Sequence, residues 1–368
     1  MNNNYDVIVI GGGYFGSSIS FHLSQAGYRT LLLEQKELAS GSSGANYGCI
    51  QVQDSNMGIS MERTLRGFKG AMKLELTLGC NLDLKVMGSL IVAENDAEII
   101  ELEKLYQEKK EYGLPVELLN PKDIKKIEPY INEKILRGAS YMTQGRLTPW
   151  KLVYGFVNKG KELGLEVREW SKVVDYIRIG DTIKGVVLEN GERIEARHVI
   201  ITAGAHSKKL GNLAGINIPV EYIKGEAFVT ERVKPMMNNF LSSAAFFTDA
   251  HGDSSNCALA MMQSNEGNFL IGETGSIGPE DPDDLKFFPS RTHLSKMAGL
   301  GVRFYPVLRD LKILRTFSVA SPYTKDMEPI FGKTNLDGLY VAAGFKSCVV
   351  ITTAIGEEMT EIIRKQDN

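Results

Sequence analysis

The segment from Tyr5 to Glu34, YDVIVIGGGYFGSSISFHLSQAGYRTLLLE, constrains this chain more than any other. The apolar run Val7 to Ile10 reads as a strand. It enters Gly11-Gly12-Gly13-Tyr14-Phe15-Gly16, and a helix-compatible stretch follows. A second apolar strand over residues 30–33 ends in Glu34. In a strand–turn–helix–strand setting, GxGxxG is a dinucleotide-binding pattern. Gly11 permits the tight turn, Gly13 lets backbone approach a pyrophosphate, and Gly16 lets the helix pack close to the strand. The pyrophosphate is expected at the helix N-terminus, where unpaired N–H groups and the helix dipole favour negative charge. Glu34 follows Gly11 by 23 residues and is placed to accept hydrogen bonds from a ribose hydroxyl pair. Its carboxylate would repel a 2′-phosphate, so the pattern selects FAD or NAD over NADP.

The chain has 368 residues, long enough for two domains with buried cores. A net charge of −3 gives no sign of nucleic-acid binding. The N-terminus runs straight into the first strand, so no signal peptide is expected. The most apolar late stretch, residues 338–355, is interrupted by Gly344 and Lys346, and no transmembrane segment is expected. A cytoplasmic protein, peripheral to a membrane only through a complex, is the expected setting. Cys49, Cys80, Cys257 and Cys348 are scattered without a CxxC pair, which points to reduced thiols and no metal site.

Along the chain, a small-residue loop over 39–48 follows Glu34. The pattern predicts helices over 56–78, 96–112, 147–163 (with Thr148 as N-cap) and 349–364, and a short one from Pro121. It predicts a strand over 88–93 and a meander over 172–179, 182–189 and 192–196, turning at Asn190-Gly191. Residues 198–201 then form a strand into Thr202-Ala203-Gly204. Residues 216–320 alternate like strands, for example 226–230 and 268–271. Residues 339–343 form a last strand into Gly344. Three strands ending at Gly11, Gly204 and Gly344 suggest an extended cofactor laid along the carboxyl ends of one sheet. This favours FAD over NAD.

The whole chain resembles the D-amino-acid oxidase superfamily of flavoproteins, in its glycine oxidase, sarcosine oxidase β-subunit, proline dehydrogenase β and opine oxidase-like branches. The resemblance is carried by the first motif, SGSSGANYG, GRLTPWKL, IKGVVLENGERIEARHVIITAGAHS, EGNFLIGET and GLYVAAGF. It implies an α/β fold: a discontinuous Rossmann-like FAD-binding domain (1–84, 146–215 and 326–368) with an inserted α+β substrate domain. That second domain (85–145 and 216–325) would be built on a mainly antiparallel sheet.

Carried over, the resemblance places Gly11, Gly13, Tyr14, Phe15 and Gly16 at the pyrophosphate, and Glu34 with Gln35 at the adenosine ribose. Ser42, Ser43 and Gly44 would meet phosphate or ribityl oxygens, and Asn46 and Gly48 would lie near the isoalloxazine. The backbone of Val173 or Val174 would meet adenine, and Ala203-Gly204 would pass the cofactor's middle. Gly344, Phe345, Lys346, Ser347, Cys348 and Val349 would sit at the pyrimidine side of the flavin. The implied reaction is oxidation of the C–N bond of a small amine or amino acid of glycine, sarcosine, proline, D-amino-acid or opine type, by hydride transfer to flavin N5. No catalytic acid or base is required, so His22, His198, His206, His251 and His293 read as structural or surface residues.

Two positions depart from the family pattern. Ser321 stands where a carboxylate-binding arginine is expected, leaving Arg146, Lys224, Arg315, Tyr323 and Lys346 as substitutes. Residues 320–321 lack the cysteine that carries flavin covalently in some members, so FAD is expected to be noncovalent. A 2-hydroxyglutarate-type hydroxy-acid dehydrogenase and a flavin-bearing electron-transfer subunit are the alternatives. Any relay through an iron–sulfur or second flavoprotein centre would need another subunit.

Overall fold

A computed structural model describes residues 4–245, 259–272, 276–279, 281–285, 288–326 and 328–367. Cys257, His251 and the last two residues of EGNFLIGET lie outside them. The chain divides into two compact units. The first comprises Met1–Leu84, Leu147–Tyr222 and Ser321–Asn368, and the second Lys85–Arg146 and Ile223–Ala320. These divisions fall at 222/223 and 320/321 rather than after residues 215 and 325. Ile218 and Val220 are built into the core of the first unit, which explains the first of these shifts.

The first unit holds a sheet whose parallel strands lie in the spatial order Glu166–Arg168, Thr30–Leu33, Asn4–Ile10, Arg193–Ile201, Leu339–Ala343. Ile330–Lys333 closes that edge antiparallel. The central strands are apolar where both faces are covered, as over residues 7–10, 31–33, 199–201 and 339–343. Val7, Val9, Leu32, Ile200 and Tyr340 enter one core with the helices Tyr14–Gln25, Pro149–Glu162 and Cys348–Asp367. Their neighbours Ile8, Ile10, Leu31, Leu33, Val199, Ile201 and Val341 enter a second core. There they meet the antiparallel hairpin Val173–Ile179 and Thr182–Leu188, and the helix Ser207–Ala214.

The predicted helix over 56–78 is two, Ile59–Ala71 and Leu74–Leu78; the break after Ala71 lets Leu74 and Leu78 turn inward. Gly67 sits where an added Cβ would lie 2.1 Å from the Val350 carbonyl oxygen, so this helix packs directly on the last one. Thr148 stands at an N-cap position but makes no side-chain cap; its hydroxyl donates instead to Asp83 Oδ2 at 2.7 Å.

In the second unit, Lys85–Ala93 pairs antiparallel with Gly138–Arg146 and parallel with Phe240–Ser243. The sheet continues antiparallel through Ala260–Gln263 and Asn268–Gly272 to Glu221–Arg232. Residues 216–320 are not all strand. Ser290 caps a helix, Arg291–Phe304, by accepting from the His293 amide, and Met297, Gly301 and Phe304 form its buried stripe. Beneath it lies a fully buried carboxylate, Glu128. Its Oε1 accepts from the Asn238 and Asn239 amides and Asn239 Nδ2, and its Oε2 from the Tyr305 hydroxyl at 2.8 Å.

Candidate active site

The three glycine turns lie side by side because the strands feeding them are neighbours, Asn4–Ile10 pairing with Arg193–Ile201 and that strand with Leu339–Ala343. The first two turns are stitched together by Thr202. Its amide donates to the Ile10 carbonyl at 2.9 Å, and its hydroxyl donates to the Ile10 and Gly11 carbonyls at 2.9 and 3.0 Å. The third joins them through aromatic contact: Phe345 lies 4.7 Å from Phe15, centroid to centroid. Thr202 was not singled out from the sequence, and a threonine after a strand carries no signal by itself.

Gly11 has φ +114°, and a Cβ there would lie 2.6 Å from the Thr202 carbonyl oxygen. At Gly16 a Cβ would lie 1.8 Å from the Gly11 carbonyl oxygen, so only glycine lets the helix start against the strand end. Gly13 faces the Ser43 hydroxyl, which a Cβ would meet at 2.8 Å. Ser43 Oγ accepts from the Tyr14 amide at 3.0 Å, so the hydroxyl of a distant loop caps a helix whose own N-cap residue has no side chain. Glu34 reaches back to the same turn: Oε2 accepts from the Gly12 amide at 2.7 Å and Oε1 from the Lys36 amide at 2.9 Å. Gln35 lies between these contacts.

The loop over 39–48 is held by Asn46. Its Nδ2 donates to the Ser42 and Ser43 carbonyls at 2.8 and 3.1 Å, and its Oδ1 accepts from the Gly48 amide at 2.8 Å. The Asn46 side chain also bonds the Tyr14 hydroxyl, which burial keeps protonated by pushing its pKa far up. Gly44 and Gly48 are required by close approach: a Cβ would lie 2.1 Å from the Ala39 and 1.9 Å from the Leu147 carbonyl oxygens. Ala203 leads into the turn Gly204–His206, with Gly204 at φ +55°. In the hairpin, Val173 pairs with Leu188 and Asp175 with Val187. Val174 is therefore bulged out of the ladder, where the register shifts by one residue.

The third turn has Gly344 at φ +74° and Ser347 at φ +53°. Ser347 Oγ is buried at the start of the last helix with no hydrogen-bond partner. Cys348 Sγ donates to the Phe345 carbonyl at 3.1 Å, and burial pushes this thiol up to about 12, far from thiolate reactivity. Val349 is buried in the first helical turn. Lys346 Nζ donates to the Asp54 carbonyl at 3.0 Å, at a cleft also lined by Ser55, Arg63, Thr64 and Ser347.

Of the substitute anchors, Lys346 and Tyr323 belong to the first unit and Arg146, Lys224 and Arg315 to the second. Tyr323 donates to Glu221 Oε2 at 3.3 Å. Arg146 is buried and bonded to Asn265. Lys224 pairs at 2.6 Å with Glu226, a buried carboxylate that also holds His293. Arg315 is exposed over the Phe317 ring. Among the described residues no helix is long and apolar enough to cross a membrane.

The donor set fits a dinucleotide. It combines glycine cradles that a Cβ would fill, a carboxylate at the end of the second strand and an orphaned hydroxyl at a helix N-terminus. A family model described as FAD dependent oxidoreductase (DAO) matches residues 6–362. The chain is 25% identical over 354 residues to sarcosine oxidase subunit beta of Rhodobacter capsulatus, spanning 93% of this chain and 80% of that one. It is 24% identical over 377 residues to glycine oxidase of Geobacillus kaustophilus, spanning 100% and 95%. The structure of L-proline dehydrogenase from P. horikoshii superposes with a TM-score of 0.87 at 26% identity, covering 99% of this chain and 94% of that one. The chain belongs to the DAO family and is an FAD-dependent oxidoreductase.

Proposed function

We propose that this enzyme oxidises the C–N bond of a small amine or amino acid, with FAD bound noncovalently across the three glycine turns. The observation that carries the reading is the abutment of those turns at the carboxyl ends of adjacent parallel strands. The names of the relatives, a sarcosine oxidase subunit, a glycine oxidase and a proline dehydrogenase, supply the substrate class. When bound, FAD supplies the hydride acceptor.

In this reading Gly11, Gly13, Tyr14, Phe15 and Gly16 hold the pyrophosphate, with Ser43 yielding its place at the Tyr14 amide. Glu34 and Gln35 hold the ribose, and the bulged Val174, with Val173, reads the adenine edge by its backbone. Ser42, Gly44, Ala203 and Gly204 line the middle of the cofactor. Asn46 and Gly48 shape the loop near the ring system. Gly344 to Val349 offer the amides of a 20-residue helix, and the orphaned Ser347 hydroxyl, to its pyrimidine end. Lys346 anchors the substrate's anionic group, because its ammonium has donors beyond the one given to Asp54. Any relay of the electrons to an iron–sulfur or second flavin centre runs through a partner subunit.

An anaerobic absorbance titration tests the substrate class, using glycine, sarcosine, L-proline, D-amino acids, opines and 2-hydroxyglutarate. Bleaching of the flavin band near ~450 nm by one amine supports the proposal. Bleaching by 2-hydroxyglutarate alone, or by none of them, overturns it.

A further inference from the structure

We infer that Trp170 is a stacking platform for the adenine ring of FAD, an assignment that rests on the proposed cofactor site. Trp170 has φ +56°, where a bulky side chain is a steric outlier. Burial does not offset that strain, because the residue is 70% exposed. The other tryptophan, Trp150, is also exposed, yet it sits in the regular helix Pro149–Glu162 beside the Lys151 ammonium. Only Trp170 combines exposure with a strained backbone.

Its surroundings say what the strain serves. The Trp170 amide donates to the Lys36 carbonyl at 3.2 Å, and the Ser171 amide to the Glu34 carbonyl at 2.8 Å. The Glu34 amide in turn donates to the Arg168 carbonyl at 2.9 Å, and the Leu38 amide to Glu169 Oε1 at 2.7 Å. These bonds lash residues 168–171 along 34–38, so the Trp170 backbone lies beside the strand end that carries Glu34, the residue assigned to the adenosine ribose. Four residues on, the register shift between Val173 and Asp175 bulges Val174, the residue whose backbone the proposed site gives to the adenine. A flat, exposed aromatic surface tied by its backbone to the strand end of the ribose acceptor, and four residues from the bulge, suits a purine base, whose face stacks and whose edge hydrogen-bonds.

The test measures dissociation constants of the full-length protein for FAD and for FMN, which lacks the adenosine, together with thermal unfolding of the flavin-free form. Trp170→Gly should weaken FAD about tenfold and leave FMN unchanged. The same change should raise the melting temperature, since glycine accepts the positive φ without strain. Trp170→Phe should keep FAD affinity within about threefold, because a smaller ring still stacks. In a Trp150→Phe background, ADP should quench the emission that remains. Unchanged FAD affinity in Trp170→Gly, or an equal loss for FMN, would overturn the stacking role while leaving the cofactor site intact. Failure of the unaltered protein to bind FAD at all would overturn the site and the stacking role together.

Discussion

The Glu34 carboxylate accepts the Gly12 amide hydrogen at 2.7 Å, closing the glycine turn against the end of the neighbouring strand. This bond organises the first turn without any ligand. Glu34→Ala should therefore lose stability as well as flavin, by about 1.5–3 kcal/mol, the usual worth of a hydrogen bond to a charged group. Denaturant unfolding and the flavin-to-protein ratio read the two effects. A variant with wild-type stability would mean that the carboxylate serves only the ribose.

Gly16→Ala places a methyl 1.8 Å from the Gly11 carbonyl oxygen, and backbone must move to admit it. We expect destabilisation of about 3 kcal/mol and loss of bound FAD. Gly41→Ala, with nothing within 4 Å, is the control and should change neither. Equal behaviour of the two variants in thermal unfolding would sink the close-packing argument.

Glu128 gives the second unit a pH dependence. Burial, the largest effect, raises its pKa in spite of the four hydrogen bonds it accepts. A carboxyl whose folded pKa lies above its unfolded one contributes stability that is fully present below the unfolded value. That contribution is lost as pH rises through the folded value. Glu128→Gln should flatten stability against pH over that window, its deficit relative to wild type shrinking as pH rises. A deficit constant from acid to neutral pH would show that Glu128 does not titrate with a raised pKa.

Lys346→Met removes an ammonium bonded to the Asp54 carbonyl while keeping the length of the side chain. Steady-state kinetics should show KM for an anionic substrate raised about tenfold or more with flavin content unchanged. An unchanged KM would move the anchor elsewhere.

The parallel strands were legible because a doubly covered strand must be apolar at every position, as in Val7 to Ile10 and Leu31 to Leu33. The glycine turns were legible because steric need leaves glycine little competition. The helix Arg291–Phe304 was not, since one residue of its buried stripe is Gly301, which reads as a breaker. The fates of the basic residues were hidden in a different way. Arg146 meets Asn265 and Lys346 meets Asp54 across long sequence separations that no local pattern encodes. Lys224 and Glu226, two apart on one strand and so on one face, could have been paired from the sequence alone.

The adjacency of strands Asn4–Ile10, Arg193–Ile201 and Leu339–Ala343 also sets an order of events during synthesis. The glycine motif leaves the ribosome first, but the turn that completes its site follows more than 300 residues later. At ~5–20 residues per second the interval is on the order of half a minute. Until then Arg193–Ile201 lacks its neighbour Leu339–Ala343, whose turn completes the row. In the proposed reading, capture of a cofactor that spans all three turns waits until Leu339–Ala343 has joined the sheet.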